Sequence, residues 1–229
     1  MITNTNTNEK LKKEITVKIK VEFEFNELGY VGKPFWPEIT TLIDISHDVH
    51  PKLGEAKKAE ALMAACSKRG ITPEEYAAIV ERSKRPFYTA DGLAGGEIVI
   101  PARVIQSFLN NTCQSAPKAL EAYKSKGLTF VGVKPSDGNG GRFFRTGKTA
   151  ADALQFARLV KLEESNQRSM QTDAYLPDFT ASGVIELDEE VITEEKLHRL
   201  IAYGGKWYGI GSCRPQGYGR FQVTRWDVL

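Results

Sequence analysis

The chain has 229 residues, of which 41% are hydrophobic and 26% charged, a balance typical of one large globular domain with a real core. Its 31 basic and 29 acidic residues leave a formal charge of +2, too small to predict a nucleic-acid or membrane partner from bulk charge. The three cysteines include no C-x-x-C pair, which disfavours a disulfide framework or a zinc site and favours a reducing cytoplasm.

The N-terminal part of the chain predicts a tail followed by a strand. Residues 1–14 lack the apolar core of a signal peptide and are expected to be a disordered tail. No apolar stretch approaches the roughly 20 residues that span a bilayer, so we expect no membrane partner. From Ile15 to Phe25 every odd position is apolar and every even position is polar or charged. This alternation predicts a long strand with one face in the core.

Residues 51–86 predict a helical hairpin inserted between strands. An alanine-rich segment from residue 56 to 65 favours a helix that Gly70 closes. Thr72 is a suitable N-cap for a second helix, and Pro73 suits its first position. A DNA-reading helix-turn-helix is a weaker alternative, because helical hairpins are common packing units.

The middle of the chain has the order strand, helix, strand. Residues 97–100 predict a short strand that Pro101 ends, and residues 102–112 continue as a helix. Residues 128–133 predict another strand, and residues 134–141 predict a flexible loop. The region from Thr149 to Glu164 has no clear periodicity.

The C-terminal part predicts strand, helix, glycine-rich loop and strand. Residues 179–187 favour a strand, and Thr193 begins a helix that we expect Gly204 to end. Six of the 17 residues from Gly204 to Arg220 are glycine, and an alternating segment at 221–226 follows. Glycine lets a backbone approach a ligand closely, and the neighbouring arginines and aromatic rings suit phosphates and bases.

Two familiar phosphate motifs fail on spacing or order. In the segment from Gly209 to Arg214, an arginine stands where a dinucleotide-binding fingerprint has its third glycine, and a helix precedes the loop instead of a strand. The segment from Gly141 to Thr149 has five residues between its glycines where a P-loop has four. This second segment is nonetheless basic and contains two phenylalanines, so it either guides a single strand or forms an ordinary strand with solvated arginines.

The histidines and Cys213 give weak catalytic signals. His47 and His50 lack a sequence-local third metal ligand, and His198 lies on a capped helix, where a structural histidine is the default. Cys213 has no histidine within ten residues, so a small residue in a tight turn is favoured over a nucleophile. We therefore expect no catalytic residue, no metal and no cofactor.

The ending of the chain resembles a known family. Strand, helix, G-I-G-S-C-R-P-Q-G-Y-G-R-F and strand is similar to the glycine-rich-loop signature of the RAMP superfamily, the RRM-like subunits of CRISPR effector complexes. Ile98 to Pro101, running into a helix, resembles the strand-Pro-helix element of the backbone subunits in that group. Uncharacterised phage proteins have a similar ending. The resemblance covers about residues 175–226, is weaker at 97–113, and is absent from the helical hairpin.

The resemblance implies an α+β fold with a ferredoxin-like (RRM-like) βαββαβ core, an antiparallel sheet, a helical-hairpin insertion and a C-terminal glycine-rich loop. Residues 15–229 would form one such domain. In these folds the loop lies beside the sheet, where it can hold a nucleic-acid backbone. The RNA-processing members have a catalytic histidine placement that is not recognisable here, which leaves binding as the expected activity.

The leading hypothesis is a non-enzymatic protein that binds single-stranded RNA or DNA. Its expected partners, besides the nucleic acid, are further copies of the chain along the strand or a CRISPR-type complex. Its expected location is the cytoplasm of a bacterial or phage-infected cell. Arginines would supply charge and an aromatic ring would stack a base, worth about 1–3 kcal/mol. The expected contacts are Lys206, Trp207, Tyr208, Gly209, Gly211, Arg214, Gly217, Tyr218, Gly219 and Arg220 in the glycine-rich run, and Arg142, Arg145 and Lys148 in the basic segment.

Three alternatives stay open at the level of sequence. In the first, the glycines and aromatic residues serve only a tight turn and its packing. In the second, which the near-neutral charge favours, the chain is a protein-interaction module that copies an effector subunit and inhibits a host complex. In the third, it is a metal-independent endoribonuclease that uses His47, His50 or His198.

Overall fold

The structure is a computed structural model that describes residues 16–32, 39–50, 52–83, 85–92, 95–115, 132–161 and 168–229. The expected N-terminal tail lies outside these residues. The helices are α1 (Ile39–Asp48), α2 (Glu55–Lys68), α3 (Pro73–Ser83), α4 (Ala102–Ser115) and α5 (Glu194–Trp207). The strands are β1 (Thr16–Phe25), β2 (Tyr88–Thr89), β3 (Ile98–Pro101), β4 (Val133–Ser136), β5 (Phe143–Arg145), β6 (Leu154–Lys161), β7 (Arg168–Tyr175), β8 (Phe179–Asp188) and β9 (Phe221–Val228).

The main sheet is antiparallel at every pairing that the structure describes. Its order is β2, β3, β5, β8, β1 and β9, and β4 pairs with β8 beside β5. Since β4 and β5 lie along the same edge of β8, they act as one strand interrupted by the loop at 137–142. Read from the β9 edge, the first four positions of the sheet, β9, β1, β8 and then β4 with β5, have the 4-1-3-2 order of a ferredoxin-like sheet.

The alternation predicted for β1 is confirmed. Ile19, Val21 and Phe23 are fully buried, whereas Lys18 and Glu24 are exposed. The buried face packs beneath α4 and α5, which contact each other and the sheet. One face of the sheet is therefore covered by two helices and the other is polar, which confirms the α+β, ferredoxin-like class expected from the sequence.

Helices α1 to α3 form an insertion between β1 and β2 with a small core of their own. Ile45, Ala65 and Cys66 are its buried residues. The predicted start of α3 is confirmed, because the amide of Glu75 donates to the Thr72 hydroxyl at 3.1 Å and the amide of Thr72 donates to the Glu75 carboxylate at 2.8 Å. This is a capping box. The sequence did not predict α1.

Strands β6 and β7 pair only with each other in the described structure and form a separate two-stranded arm. Strand β6 lies within Thr149 to Glu164, the region in which the sequence shows no clear periodicity, and β7 lies beyond it. Leu159 and Met170 lie directly opposite each other in the register and are 62% and 69% exposed. Cross-strand partners share a face, so these two side chains form one exposed apolar patch on the arm.

Two expected boundaries differ from the structure. Residues 134–136 belong to β4 and not to a loop, which begins at Asp137, while most of the strand expected at 128–133 lies outside the described residues. Helix α5 does not end at Gly204 but continues through Gly204 and Gly205 to Trp207. A Cβ at Gly204 would lie 2.6 Å from the Phe108 ring of α4, so this glycine permits a close helix crossing and is not a C-cap.

None of the described helices is both long and apolar enough to cross a membrane.

Candidate nucleic-acid interface

The glycine-rich loop, residues 208–220, joins α5 to β9 and depends on positive φ angles. They occur at Gly209, Gly211, Gly217 and Gly219, with values of 73°, 86°, 95° and 76°, and at Cys213, with 56°. Residues with a Cβ rarely adopt this region. The density of glycine is therefore required by the path of the backbone itself.

The loop also folds closely onto itself and onto the segment after β1. A Cβ at Gly219 would lie 1.8 Å from the carbonyl oxygen of Ile210, and one at Gly211 would lie 2.5 Å from that of Val31. The amide of Ile210 donates to Gly219 at 2.7 Å, and that of Ser212 donates to Val31 at 2.9 Å. The amides of Ile210 and Ser212 are therefore already satisfied within the protein and are not available to a ligand.

A groove separates this loop from α4. The side of α4 that faces it carries Arg103, Ser107, Asn111 and Ser115, which recur at every fourth residue and so share one helix face. The Tyr208 hydroxyl donates to the Ser115 carbonyl oxygen at 2.9 Å and joins the loop to the end of α4.

Two adjoining cavities make up this groove. The small cavity has a volume of about 260 Å³ and the large cavity about 410 Å³. The small cavity is lined by Tyr30, Arg103, Val104, Ser107, Phe108, Asn111, Gly209, Gly211, Ser212 and Arg214. The large cavity is lined by Asn111, Gln114, Ser115, Trp207, Tyr208, Arg214, Pro215 and Arg220. They share Asn111 and Arg214, so together they form one groove.

The lining of the groove has one sign of charge. Three arginines, Arg103, Arg214 and Arg220, line it, and none of the described residues that line either cavity is an aspartate or a glutamate. Serine, asparagine and glutamine side chains supply neutral hydrogen-bonding groups between them. Such a surface attracts an anion and can hydrogen-bond to it in several places.

Trp207 supplies an exposed aromatic ring at the large cavity. Its exposed fraction is 55%, and the Lys206 ammonium lies 5.2 Å from the ring centroid. An exposed indole beside arginines suits the stacking of an unpaired base. The structure therefore brings Trp207, Tyr208, Arg214 and Arg220 together at one cavity.

Tyr218 has a different environment from the one expected of a base-stacking residue. Its ring stacks on Phe156 of β6 at 4.7 Å between centroids and meets Tyr175 of β7 edge-on at 5.5 Å. These contacts attach the arm to the glycine-rich loop. One face of the Tyr218 ring is thus already covered by the protein.

The basic segment at 142–148 does not line the groove. Arg145 donates to Glu97 at 2.6 Å and to Asp137 at 3.2 Å, so two carboxylates neutralise its charge. Burial alone would raise the pKa of Asp137, but hydrogen bonds from the amides of Asn139 and Gly141 and from Arg145 hold it below its usual value. Arg142 is exposed and lines another cavity, beside β4. The basic segment and the glycine-rich loop therefore do not line the same groove.

The histidines lie outside the groove. His47 is on the last turn of α1 and His50 follows it, whereas the His198 ring stacks on Trp226 at 4.6 Å. His198 lines a further cavity, of about 780 Å³, between α5 and the start of β9. In the part of the chain that the structure describes, no three histidine, cysteine, aspartate or glutamate side chains cluster as metal ligands would.

Cys213 takes the conformation that a tight turn requires. Its φ is 56°, and burial raises the pKa of its thiol, although Arg158 opposes that effect. A thiol with a raised pKa is a poor nucleophile near neutral pH.

The sequence did not single out the residues that α4 contributes to the groove. Arg103, Ser107 and Asn111 are ordinary polar residues of an amphipathic helix, and only the fold places them opposite the loop. Their spacing of four on the predicted helix is the one signal that a sequence carries for such a face.

Strand order, covering helices and groove together define a ferredoxin-like α+β protein with an arginine-lined groove. No protein-family model matches the chain, and no curated protein matches it. Among solved structures, it is similar to a chain in the cryo-EM structure of the Type III-B Cmr-beta bound to cognate target RNA, with a TM-score of 0.49 and 10% identity. The alignment covers 93% of this chain but 61% of that chain, so the present chain spans less than two thirds of its length.

Proposed function

We propose that this protein binds single-stranded nucleic acid in the groove between α4 and the glycine-rich loop. The observation that supports the proposal is the lining of the groove, in which the described residues include three arginines and an exposed tryptophan but no carboxylate. Arginine provides charge and bidentate hydrogen bonds to phosphates. Trp207 favours a single strand, because the bases of a duplex are not free to stack on a side chain.

Fluorescence anisotropy with labelled single-stranded RNA and DNA oligonucleotides over a range of salt concentrations tests this proposal. For a single strand, each phosphate contact adds about 0.7 to the slope of log affinity against log salt. We expect Arg214→Gln with Arg220→Gln to weaken binding at least about tenfold and to lower that slope by about 1.4, since two such contacts are removed.

The matched control is Arg225→Gln. Arg225 is an arginine of β9 that is ion-paired with Glu22 at 3.3 Å and lies outside the groove. It should leave affinity and salt slope unchanged. Binding that is absent at low salt, or that the double variant and the control weaken equally, would refute the groove as the binding site.

The basic segment provides a second comparison in the same assay. We propose Arg142 and Lys148 as peripheral contacts to the strand, because Arg142 is exposed while Arg145 is occupied by Glu97 and Asp137. Arg142→Gln with Lys148→Gln should therefore weaken binding less than the groove double variant does. An equal or larger effect would move the main site to this segment.

The arm favours a second candidate function, self-assembly of copies along the bound strand. Leu159 and Met170 form an exposed apolar pair on this arm, whose two strands pair with each other and not with the main sheet in the described structure. Exposed apolar side chains of this kind are typical of protein contacts. The expected occupant is a second copy of the chain.

Light scattering coupled to size-exclusion chromatography, with and without a long oligonucleotide, tests self-assembly. Leu159→Ser with Met170→Ser should abolish multimers on the strand while single-site binding to a short oligonucleotide persists. Met63→Ser, at a 56% exposed methionine of α2, is the matched control and should assemble normally. A wild-type protein that stays monomeric on a long strand would contradict self-assembly without affecting the groove proposal.

A further inference from the structure

Tyr30, which lines the small cavity, has a buried hydroxyl without a hydrogen-bond partner among the residues that the structure describes. The residue is only 3% exposed. Buried polar groups are nearly always satisfied, by protein, water or a ligand. An orphaned buried hydroxyl beside a cavity is therefore an indication of something that binds there.

The ring of Tyr30 is held in one position. It packs against Phe25 and Phe87, with centroids 6.4 Å and 6.2 Å away. Gly211 lies against its other edge, where an added Cβ would be 2.6 Å from the ring. This contact gives the glycine a specific purpose, since any side chain there would displace the tyrosine.

The hydroxyl is kept as a hydrogen-bond donor. Burial raises the pKa of Tyr30 far above its usual value, although the nearby Arg103 charge opposes that effect. The phenol thus stays protonated at all physiological pH values and has a proton to donate to an anion.

Two arginines approach the same cavity from opposite walls. Arg103, on α4, is held by the Tyr88 side chain, whose hydroxyl accepts a hydrogen bond from its guanidinium and whose ring centroid lies 4.8 Å away. Arg214 comes from the glycine-rich loop, in a turn fixed by the positive φ of Cys213 and Gly217. Ser107, Asn111 and Ser212 line the same cavity, and no carboxylate is among its described lining residues.

We propose that the small cavity is a site for a single phosphate group, held by the Tyr30 hydroxyl together with Arg103 and Arg214. The buried donor, the two arginines and the serine hydroxyls combine positive charge with several hydrogen-bond donors, which suits the oxygens of a phosphate. That this phosphate belongs to a nucleic-acid strand, either within the strand or at its end, rests on the proposed function. The phosphate site itself does not depend on that function.

Isothermal titration calorimetry with inorganic phosphate at constant ionic strength tests the site directly. The wild type should bind phosphate saturably, and Tyr30→Phe should weaken binding about tenfold, because a hydrogen bond to a charged group is lost. Tyr203→Phe, outside the cavity, is the control and should bind as the wild type does. Absence of saturable binding would mean that only water occupies the cavity and would overturn the proposal.

Folding does not confound this test. Because the Tyr30 hydroxyl has no described partner, Tyr30→Phe should melt no lower than the wild type in phosphate-free buffer. Arg214→Gln provides a second variant at the opposite wall and should also weaken phosphate binding. A correctly folded Tyr30→Phe protein that binds phosphate as tightly as the wild type would refute the role of the hydroxyl.

Oligonucleotides with and without a terminal phosphate separate the two sources of the ligand. If Tyr30→Phe weakens only phosphorylated strands, the cavity takes a chain end; if it weakens both equally, the cavity takes an internal phosphate. In either case the salt slope should stay unchanged, since tyrosine carries no charge. An oligonucleotide affinity that Tyr30→Phe leaves unaltered would overturn the assignment of a strand phosphate to the cavity, whereas phosphate binding without strand binding would overturn the proposed function alone.

Discussion

At the scale of single residues, Gly219 leaves no room for a side chain. Its φ is +76°, and an added Cβ would lie 1.8 Å from the Ile210 carbonyl oxygen. We expect Gly219→Ala to lower the free energy of unfolding by at least about 3 kcal/mol, because left-handed strain and a backbone clash act together. Urea unfolding followed by circular dichroism measures the loss.

Gly140→Ala is the matched control for Gly219→Ala. Gly140 also has a positive φ, of +96°, but open space surrounds the position of its Cβ. It should lose only the conformational part, about 1–2 kcal/mol. Equal losses in the two variants would show that the clash with Ile210 relaxes without cost.

Asp137 links the stability of the loop between β4 and β5 to pH. Its pKa is lowered in the folded protein, so the carboxylate stabilises the fold above its ordinary pKa of about 4, and this contribution disappears as the pH falls through the lowered value. Asp137→Asn should therefore be less stable than the wild type at pH 7, and the difference should shrink as the pH is lowered from about 5 to 3.

Urea unfolding at several pH values measures this difference for Asp137→Asn. The control is Asp44→Asn, the same change at an exposed position of α1. If the difference in free energy of unfolding between the wild type and Asp137→Asn stays constant across the acidic range, the carboxylate does not act through its charge.

At the scale of elements, the crossing of α4 and α5 depends on Gly204. Alanine is preferred to glycine in a helix by about 1 kcal/mol, so propensity alone predicts that Gly204→Ala stabilises the protein. The structure predicts the opposite, because the new Cβ would lie 2.5 Å from the Thr112 hydroxyl oxygen and 2.6 Å from the Phe108 ring. We expect a net loss of about 1–3 kcal/mol in thermal or urea unfolding.

The Phe108→Leu background tests the origin of that loss. If the clash with the Phe108 ring causes it, Gly204→Ala should cost less in this background, and the double-mutant cycle should show a favourable coupling. A Gly204→Ala protein that is more stable than the wild type would instead support propensity over packing.

The elements that the sequence predicted are those with a local signal. Strand β1 has strict alternation, and α3 has its capping box at Thr72 and Glu75, so neither requires knowledge of the fold. Helix α1 has the sequence I-T-T-L-I-D-I-S-H-D, rich in β-branched residues that favour strands. The continuation of α5 through Gly204 was missed for another reason: the partner that requires glycine there is on α4.

The candidate site was predictable to the same extent. Trp207, Arg214 and Arg220 are close in sequence, and the structure places them along one groove. Arg103 and Tyr30 reach the groove from α4 and from the segment after β1, more than a hundred residues earlier in the chain. The pairing of β1 with β8 and β9 positions the segment of Tyr30, and the packing of α4 against α5 positions Arg103. A single sequence contains neither of these long-range contacts.

At the scale of the whole molecule, two hydrophobic cores lie in different parts of the structure. The large core lies between the main sheet and helices α4 and α5, and the small core, with Ile45, Ala65 and Cys66, lies within α1 to α3. Ile45→Ala should destabilise the helical insertion by about 2 kcal/mol or more. Hydrogen exchange should then rise in α1 to α3, while oligonucleotide affinity stays unchanged.

Leu200→Ala is the comparison for Ile45→Ala. Leu200 is 1% exposed in the large core, so its loss should raise exchange in the sheet and weaken oligonucleotide binding as well. Loss of protection in β1 and β8 in the Ile45→Ala protein would show that the insertion and the sheet unfold as one cooperative unit.

The stack of Tyr218 on Phe156 makes the glycine-rich loop a joint between the groove and the arm. Such a connection links ligand binding in the groove to the contacts that the arm makes. If a ligand in the groove changes the affinity of the arm for its partner by some factor, contacts made by the arm change the affinity of the groove for the ligand by the same factor. Trimming Tyr218 to leucine would then uncouple occupancy from assembly without removing either one. The loop would set cooperativity as well as affinity.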